Sequence, residues 1–359
     1  MRSASPRRGV HRSALELLAA FGLAGATCLA AGTTPTAGLS PFAGSTPPPV
    51  ANGVADRTAA SPALRRILIA TVATPDLRDF EARYTKWFGY VVRERGRVDP
   101  ALAVSWGAPR AARRPYVMMS ADGWPDVYIR AVRTPAVRGY RPMATWGWNA
   151  IELIVEDPDS LFAQVRRSPF EIIGEPAPLK NYPSILAFQV RGAADEVVYL
   201  TSERGDRSRS ILPLPNGTVG RPFIMVLAGP DVEALLEFYR SRFGLAPGPV
   251  RQRPLELLQR AQGYAPGREL PITTARLAEH GNLIEFDGYS ERATARPQGR
   301  GELPPGVAMT TFEVADLDTL ALSFVSPPAP RAGLAYRGRR SATVVGPAGE
   351  LIELVEAAP

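Results

Sequence analysis

Side chains able to do chemistry are few in this chain. Its 359 residues include one cysteine, Cys28, and two histidines, His11 and His280. A single cysteine excludes an intramolecular disulfide framework and a cysteine-based zinc site. Two histidines leave almost no material for a histidine-rich metal centre or a Ser–His–Asp triad. Carboxylates are the remaining candidates. Glu285 and Asp287 stand in the alternating strand Leu283–Asp287, and Glu353 stands in Leu351–Val355. Successive strand residues point to opposite faces, so Leu283, Glu285 and Asp287 share one face, as do Leu351, Glu353 and Val355. Carboxylates in apolar surroundings support three chemistries. Without positive partners they attract a cationic ligand, because burying like charges together is costly. They can hold a hard cation through oxygen ligands alone. With a raised pKa, one can act as general base on an acidic C–H. The bland alternative is pairing with arginines such as Arg276, Arg337 or Arg339, or a place at a solvated rim. His280, in Glu279-His280-Gly281-Asn282, reads as part of a tight turn, about 16 Å of strand from Glu285.

The elements that position these residues come from an internal repeat. Val72-Ala73-Thr74-Pro75-Asp76-Leu77 returns as Leu227-Ala228-Gly229-Pro230-Asp231-Val232, and Tyr84-x-x-x-Phe88-Gly89 returns as Tyr239-x-x-x-Phe243-Gly244. Each is a strand, a Pro-Asp helix start and an amphipathic helix ending in aromatic-Gly; the prolines suit the first helical turn and the glycines a left-handed cap. A second pair, Ile151–Leu161 and Thr310–Leu320, reads as an alternating strand running into an Asp-capped helix. Final strands are expected at Asp126–Arg130, Glu196–Thr201, Leu283–Asp287 and Leu351–Val355. Four copies of strand–helix–strand–strand–strand result. Pro100–Trp106 and Pro254–Tyr264 read as helical insertions that cover a cavity mouth or form a subunit contact.

Composition bounds the rest. An apolar share of 45% excludes wholesale disorder, and a net charge of +7 spread along the chain does not indicate a nucleic-acid binder. Arg2, Arg7, Arg8, His11 and Arg12 precede the uncharged stretch Leu17–Ala31, an export-signal pattern too short for a membrane span. Residues 1–31 are expected to be an export signal and 32–63 a Pro/Thr/Ala-rich linker without a core. Periplasmic or extracellular location follows, with no membrane span after signal cleavage; a lipid anchor on Cys28 stays open.

The doubled and redoubled module resembles the vicinal oxygen chelate superfamily of glyoxalase, bleomycin-resistance and extradiol-dioxygenase proteins. The best-matched segments are Arg221–Gly244 with Gly281–Asp287, and Met309–Leu320 with Gly346–Val355. The resemblance implies an α+β fold of two domains, residues 64–205 (modules 1 and 2) and 219–357 (modules 3 and 4). Each would be a curved sheet around a cup with helices outside. By alternation Phe223, Met225 and Leu227 would pack outward, leaving Pro222, Ile224 and Val226 inside. Thr310, Phe312 and Val314 would likewise meet a helix, with Met309, Thr311 and Glu313 toward the cup. Glu285, Glu353, Asp287 and Glu313 would then share the C-terminal cup. Tyr128, Tyr199, Arg130 and Glu152 would line the N-terminal one, as a site for an aromatic or anionic ligand or as packing.

The resemblance also implies a divalent metal held from the first and fourth strands of paired modules. The matching positions are Ile67, Ala150, Pro222 and Met309, and Tyr128, Tyr199, Glu285 and Glu353. None is a histidine, so no cofactor is expected, a divalent metal being the alternative. The expected role is binding a small organic molecule. Its rivals are a lyase, isomerase or dioxygenase working through Glu285 and Glu353, and a scaffold with filled cups. A homodimer is compatible with either.

Overall fold

The computed structural model describes residues 61–179 and 182–358. The export-signal and Cys28 expectations, and all but the end of the linker, lie outside these residues. Module 1 comprises β1 (Leu64–Thr74), α1 (Leu77–Trp87), β2 (Val91–Arg97), α2 (Pro100–Ser105), β3 (Pro115–Ser120) and β4 (Tyr128–Arg133). Module 2 comprises β5 (Gly147–Val155), α3 (Pro158–Val165), β6 (Glu171–Leu179), β7 (Tyr182–Arg191) and β8 (Val197–Glu203). Module 3 comprises β9 (Val219–Gly229), α4 (Val232–Phe243), β10 (Arg251–Arg253), α5 (Glu256–Ala261), β11 (Leu270–Arg276) and β12 (Leu283–Gly288). Module 4 comprises β13 (Gly306–Val314), β14 (Ala329–Pro330), β15 (Arg340–Val345) and β16 (Leu351–Glu356).

Local chemistry starts and stops the helices as the repeat implies. The Asp76 carboxylate accepts from the Arg78 and Asp79 amides at 3.0 Å, and Asp231 accepts from Ala234 at 3.0 Å. Pro75 and Pro230 precede these caps instead of lying in the first turn. Gly244 closes α4 at φ 65°, a conformation any Cβ would strain. Along α4, Val232, Leu235, Leu236, Tyr239 and Phe243 are buried at helical spacing, and Tyr239 meets Phe286 of β12 with ring centroids 5.0 Å apart. Each such side chain contributes about 1.5–3 kcal/mol through burial.

Module 4 departs from the pattern. Residues 315–328 form bends and turns, not the expected Asp-capped helix. Leu317 is nonetheless buried, and Leu320, Leu322 and Phe324 pack on the same core. Pro327 and Pro328 restrict Ser326 and Pro327 to extended angles, so no helix runs on through them.

The modules assemble in an order the sequence reading missed. One eight-stranded sheet runs β14-β15-β16-β13-β1-β4-β3-β2, joining module 4 to module 1; the other runs β10-β11-β12-β9-β5-β8-β7-β6, joining module 3 to module 2. The expected pairings of 1 with 2 and 3 with 4 are therefore corrected. In both sheets two first strands meet antiparallel at the centre, β1 with β13 and β5 with β9, each flanked in parallel by its own module's last strand. This curled mixed α+β architecture is the expected fold class. We call the hollow of modules 1 and 4 the outer cup and that of modules 2 and 3 the inner cup.

Candidate functional site

Register decides which side chains meet. In the outer cup Thr71 of β1 lies beside Arg130 of β4, and Thr311 of β13 lies beside Glu353 of β16. The antiparallel centre, which sets Ala70 opposite Thr310, relates these two pairs by an approximate twofold. Arg130 therefore stands where the symmetry would place a second Glu353. Its Nη2 is 3.1 Å from Glu353 Oε2, and both residues are buried. Glu353 also accepts from Thr311 Oγ1 at 2.6 Å, Trp106 Nε1 at 2.8 Å and Tyr336 Oη at 2.8 Å. Arg130 donates to Tyr336 Oη at 2.6 Å and Thr71 Oγ1 at 2.9 Å, with its guanidinium 4.5 Å from the Trp106 ring centroid. Trp106 follows α2, so the insertion fills this cup. Every oxygen of Glu353 has partners, so the carboxylate of the outer cup is saturated.

The inner cup is the opposite case. Glu285 of β12 lies beside Val226 of β9, and Glu152 of β5 beside Tyr199 of β8. Glu285 is fully buried, and neither of its carboxylate oxygens has a hydrogen-bond partner. Asp287 Oδ1, Glu152 Oε1, Tyr199 Oη and Tyr289 Oη are buried and equally unpartnered. Glu152 Oε2 accepts only from Thr201 Oγ1, at 3.1 Å. The surrounding cluster is apolar: Ile224, Val226, Ile272 and Leu283 from the sheet, with Leu255 and Leu258 from the α5 insertion above. Burial raises Glu285 well above the ordinary carboxylate range, and the charges of Asp287 and Glu152 push it further. Burial likewise pushes Asp287 up to about 8. Glu152 is also pushed up to about 8, mainly by burial, against the lowering effect of the Thr201 hydrogen bond. At neutral pH the cluster is held largely as uncharged carboxyls.

Several expectations are corrected by these positions. Glu285 and Glu353 occupy different cups. Thr311, Met309, Tyr128 and Arg130 belong with Glu353, whereas Asp287, Ile224, Tyr199 and Glu152 belong with Glu285. Glu313 is a rim residue, ion-paired to Arg339 at 2.9 Å and Arg66 at 3.2 Å. Those arginines hold its carboxyl below the usual value against the effect of its burial. Phe223, assigned outward by alternation, packs in the inner-cup cluster, because a bulge opposite Glu152 and Leu153 breaks the period there. The first-strand neighbours of Arg130, Tyr199, Glu285 and Glu353 are Thr71, Glu152, Val226 and Thr311, not the Ile67, Ala150, Pro222 and Met309 set. Tyr336, Tyr289 and Thr71 were missed altogether. Thr71 is visible as an inward position of β1, and Tyr289, just past β12, continues the alternation of Leu283, Glu285 and Asp287; Tyr336 comes from a turn without periodicity. His280 is a turn residue, its Nε2 2.9 Å from the Ser210 carbonyl.

A divalent metal fits neither cup. In the outer one a guanidinium already neutralises Glu353. In the inner one the carboxyls, held largely uncharged, do not converge: among the described residues no three His, Cys, Asp or Glu are placed to hold a metal ion. A hard cation needs oxygen ligands at about 2.0–2.6 Å.

Beside the inner cup opens a basin of about 520 Å³. Met143, Ile173, Val197, Leu257 and Ala261 line it and also belong to, or pack against, the cup's apolar cluster. Among the described residues no helix is long and apolar enough to cross a membrane.

Among solved structures the chain is similar to glyoxalase I from Zea mays, with 16% identity and a TM-score of 0.54 over 81% of this chain and 92% of that one. It is also similar to a proposed dioxygenase from Bacillus subtilis subsp. subtilis str. 168, with 9% identity and a TM-score of 0.53 over 82% and 86%. No protein-family model matches the sequence, and no curated protein matches it either.

Proposed function

We propose, for a chain whose fold is that of the vicinal oxygen chelate superfamily, that the inner cup binds a small organic cation. The observation that carries this reading is Glu285, fully buried with both oxygens unpartnered beside Asp287 and Glu152. Each unpaired buried polar group costs roughly 1–3 kcal/mol, so folded proteins rarely keep several together unless something else satisfies them. No three of these groups are placed to hold a metal ion, and the site suits an ammonium or amidinium carried on an organic body. The apolar lining and the tyrosine rings would cover that body. Access from the 520 Å³ basin requires α5 to lift, since Leu255 and Leu258 seal the cup. The outer cup, its Glu353 carboxylate saturated by Arg130, Thr311, Trp106 and Tyr336, serves as structure.

A thermal-shift screen of amines and quaternary ammonium ions against the full chain tests this. A hit whose affinity drops at least tenfold in Glu285→Gln supports it; hits indifferent to Glu285→Gln, or none, overturn it. Export, which places the ligand outside the cytoplasm, is tested by fusing residues 1–63 to a reporter active only after export.

A second reading has one observation in its favour. Carboxyls near pH 8 are well matched to taking a proton from an acidic C–H at neutral pH, which would make Asp287 or Glu152 a general base. Deuterium uptake from solvent into a bound carbonyl compound, lost in Asp287→Asn, separates this from simple binding.

A further inference from the structure

We infer that the end of module 1 opposite its helix C-terminus carries a binding site for a small phosphorylated anion, independent of both cups. There an open basin of about 550 Å³ is lined by Arg97, Arg110, Arg113, Arg114 and Arg133, together with Pro75, Thr134 and neighbouring apolar residues. No carboxylate lines it. Of the five guanidiniums only that of Arg114 has an acidic partner among the described residues, Glu302 at 2.7 Å. By contrast Arg66, Arg204 and Arg340 each meet two carboxylates: Asp126 and Glu313, Asp157 and Asp159, and Asp318 and Glu356.

The frame of the basin is fixed. Arg97 Nη1 donates to the Arg113 carbonyl at 2.9 Å and Arg114 Nε to the Arg110 carbonyl at 2.8 Å. The Arg110 amide donates to the Gly301 carbonyl at 2.9 Å, pinning this loop to the segment before β13. Arg113 sits at φ 62°, a left-handed conformation that costs a non-glycine residue energy. Guanidiniums around one basin repel one another at separations up to a Debye length, about 8–10 Å, a cost that a polyanion removes. Arginine forks match phosphate oxygens two at a time, and 550 Å³ falls in the range of small-molecule sites, roughly 300–1,000 Å³.

The phosphate could come from a free metabolite or from a lipid headgroup, and two probes distinguish these. Inorganic pyrophosphate is titrated calorimetrically into the full chain at about 50 and 200 mM salt, and phosphatidylglycerol vesicles are co-sedimented with it. Arg110→Gln/Arg133→Gln alters two exposed side chains that hold no part of the fold, and Arg166→Gln/Arg167→Gln, just past α3, is the charge-matched control. A free-phosphate site shows pyrophosphate binding, weaker at higher salt, reduced at least tenfold in the basin variant and less than twofold in the control. A headgroup site shows vesicle binding that the basin variant loses and that pyrophosphate displaces. Failure of both probes, or binding equally affected by the basin and control variants, overturns the inference.

Discussion

Arg130 Nη2 and Glu353 Oε2 are 3.1 Å apart at positions that the approximate twofold of their sheet makes equivalent. One acidic and one basic residue at related positions turn a potential cation site into a neutral ion pair. Thr71 and Thr311, likewise related, each hydrogen-bond the nearer member. The inner cup has no such guanidinium: Tyr199 takes the position related to Glu285, and the carboxylates stay uncompensated.

Breaking the pair from one side should be costly. Arg130→Ala leaves Glu353 buried without its cation, and a loss of about 3–5 kcal/mol is expected in denaturant unfolding. Arg130→Met/Glu353→Leu removes both charges and should cost less than the sum of the single variants. Additive losses in that cycle would show that the two side chains do not act as a unit.

Stability of the ligand-free chain should fall as pH rises from about 5 to 8.5. Glu152 and Asp287 are pushed up to about 8, above their unfolded values near 4, so the folded state keeps protons that the unfolded state has released. Their contribution is fully present below the unfolded pKa and is lost as pH passes the folded one. Glu196 and Glu350, raised to about 7 chiefly by burial, act in the same direction. Glu285→Gln/Asp287→Asn should therefore flatten the melting-temperature profile without abolishing its slope. An unchanged profile would mean that the inner-cup carboxyls are already ionised.

How far the sequence reached can be judged from particular residues. The inward faces of β12, β13 and β16 were legible because side-chain direction alternates with period two, and Glu285, Asp287, Thr311 and Glu353 all point where alternation puts them. Gly89 and Gly244 marked helix ends for a local conformational reason. Module pairing was not legible. β1 presents the same kind of strand to β5 as to β13, and no local pattern says which it joins, so Glu353 was grouped with Glu285 instead of Arg130. Phe223 was misplaced because a bulge is invisible to a periodicity count. Tyr336 was missed because it reaches the site from a turn.

Opening the inner cup should trade stability for access. Leu258 on α5 is fully buried against the cluster that seals Glu285. Leu258→Ala is expected to lower stability by about 2–5 kcal/mol and to speed association of a binding cation at least threefold in stopped-flow measurements. Slower or unchanged association would remove α5 from the entry route.

Divalent metals should not stabilise the chain through either cup. Mn²⁺, Fe²⁺, Zn²⁺ and Ni²⁺ are expected to leave the melting temperature unaltered at stoichiometric concentration. A tightly bound ion whose affinity collapses in Glu285→Gln or Glu353→Gln would contradict the donor geometry.

Proton release on binding bears most directly on the inner cup. A quaternary ammonium ion identified by the thermal-shift screen carries no exchangeable proton, so any proton released comes from the protein. Calorimetry of the full chain at pH 6.5, repeated in buffers of different ionisation enthalpy, should register release of about one proton per bound cation. Affinity should rise by up to tenfold per pH unit toward pH 8 and fall at least tenfold in Glu285→Gln. Binding with no proton release and no sensitivity to Glu285→Gln would contradict a carboxylate site for cations in this cup.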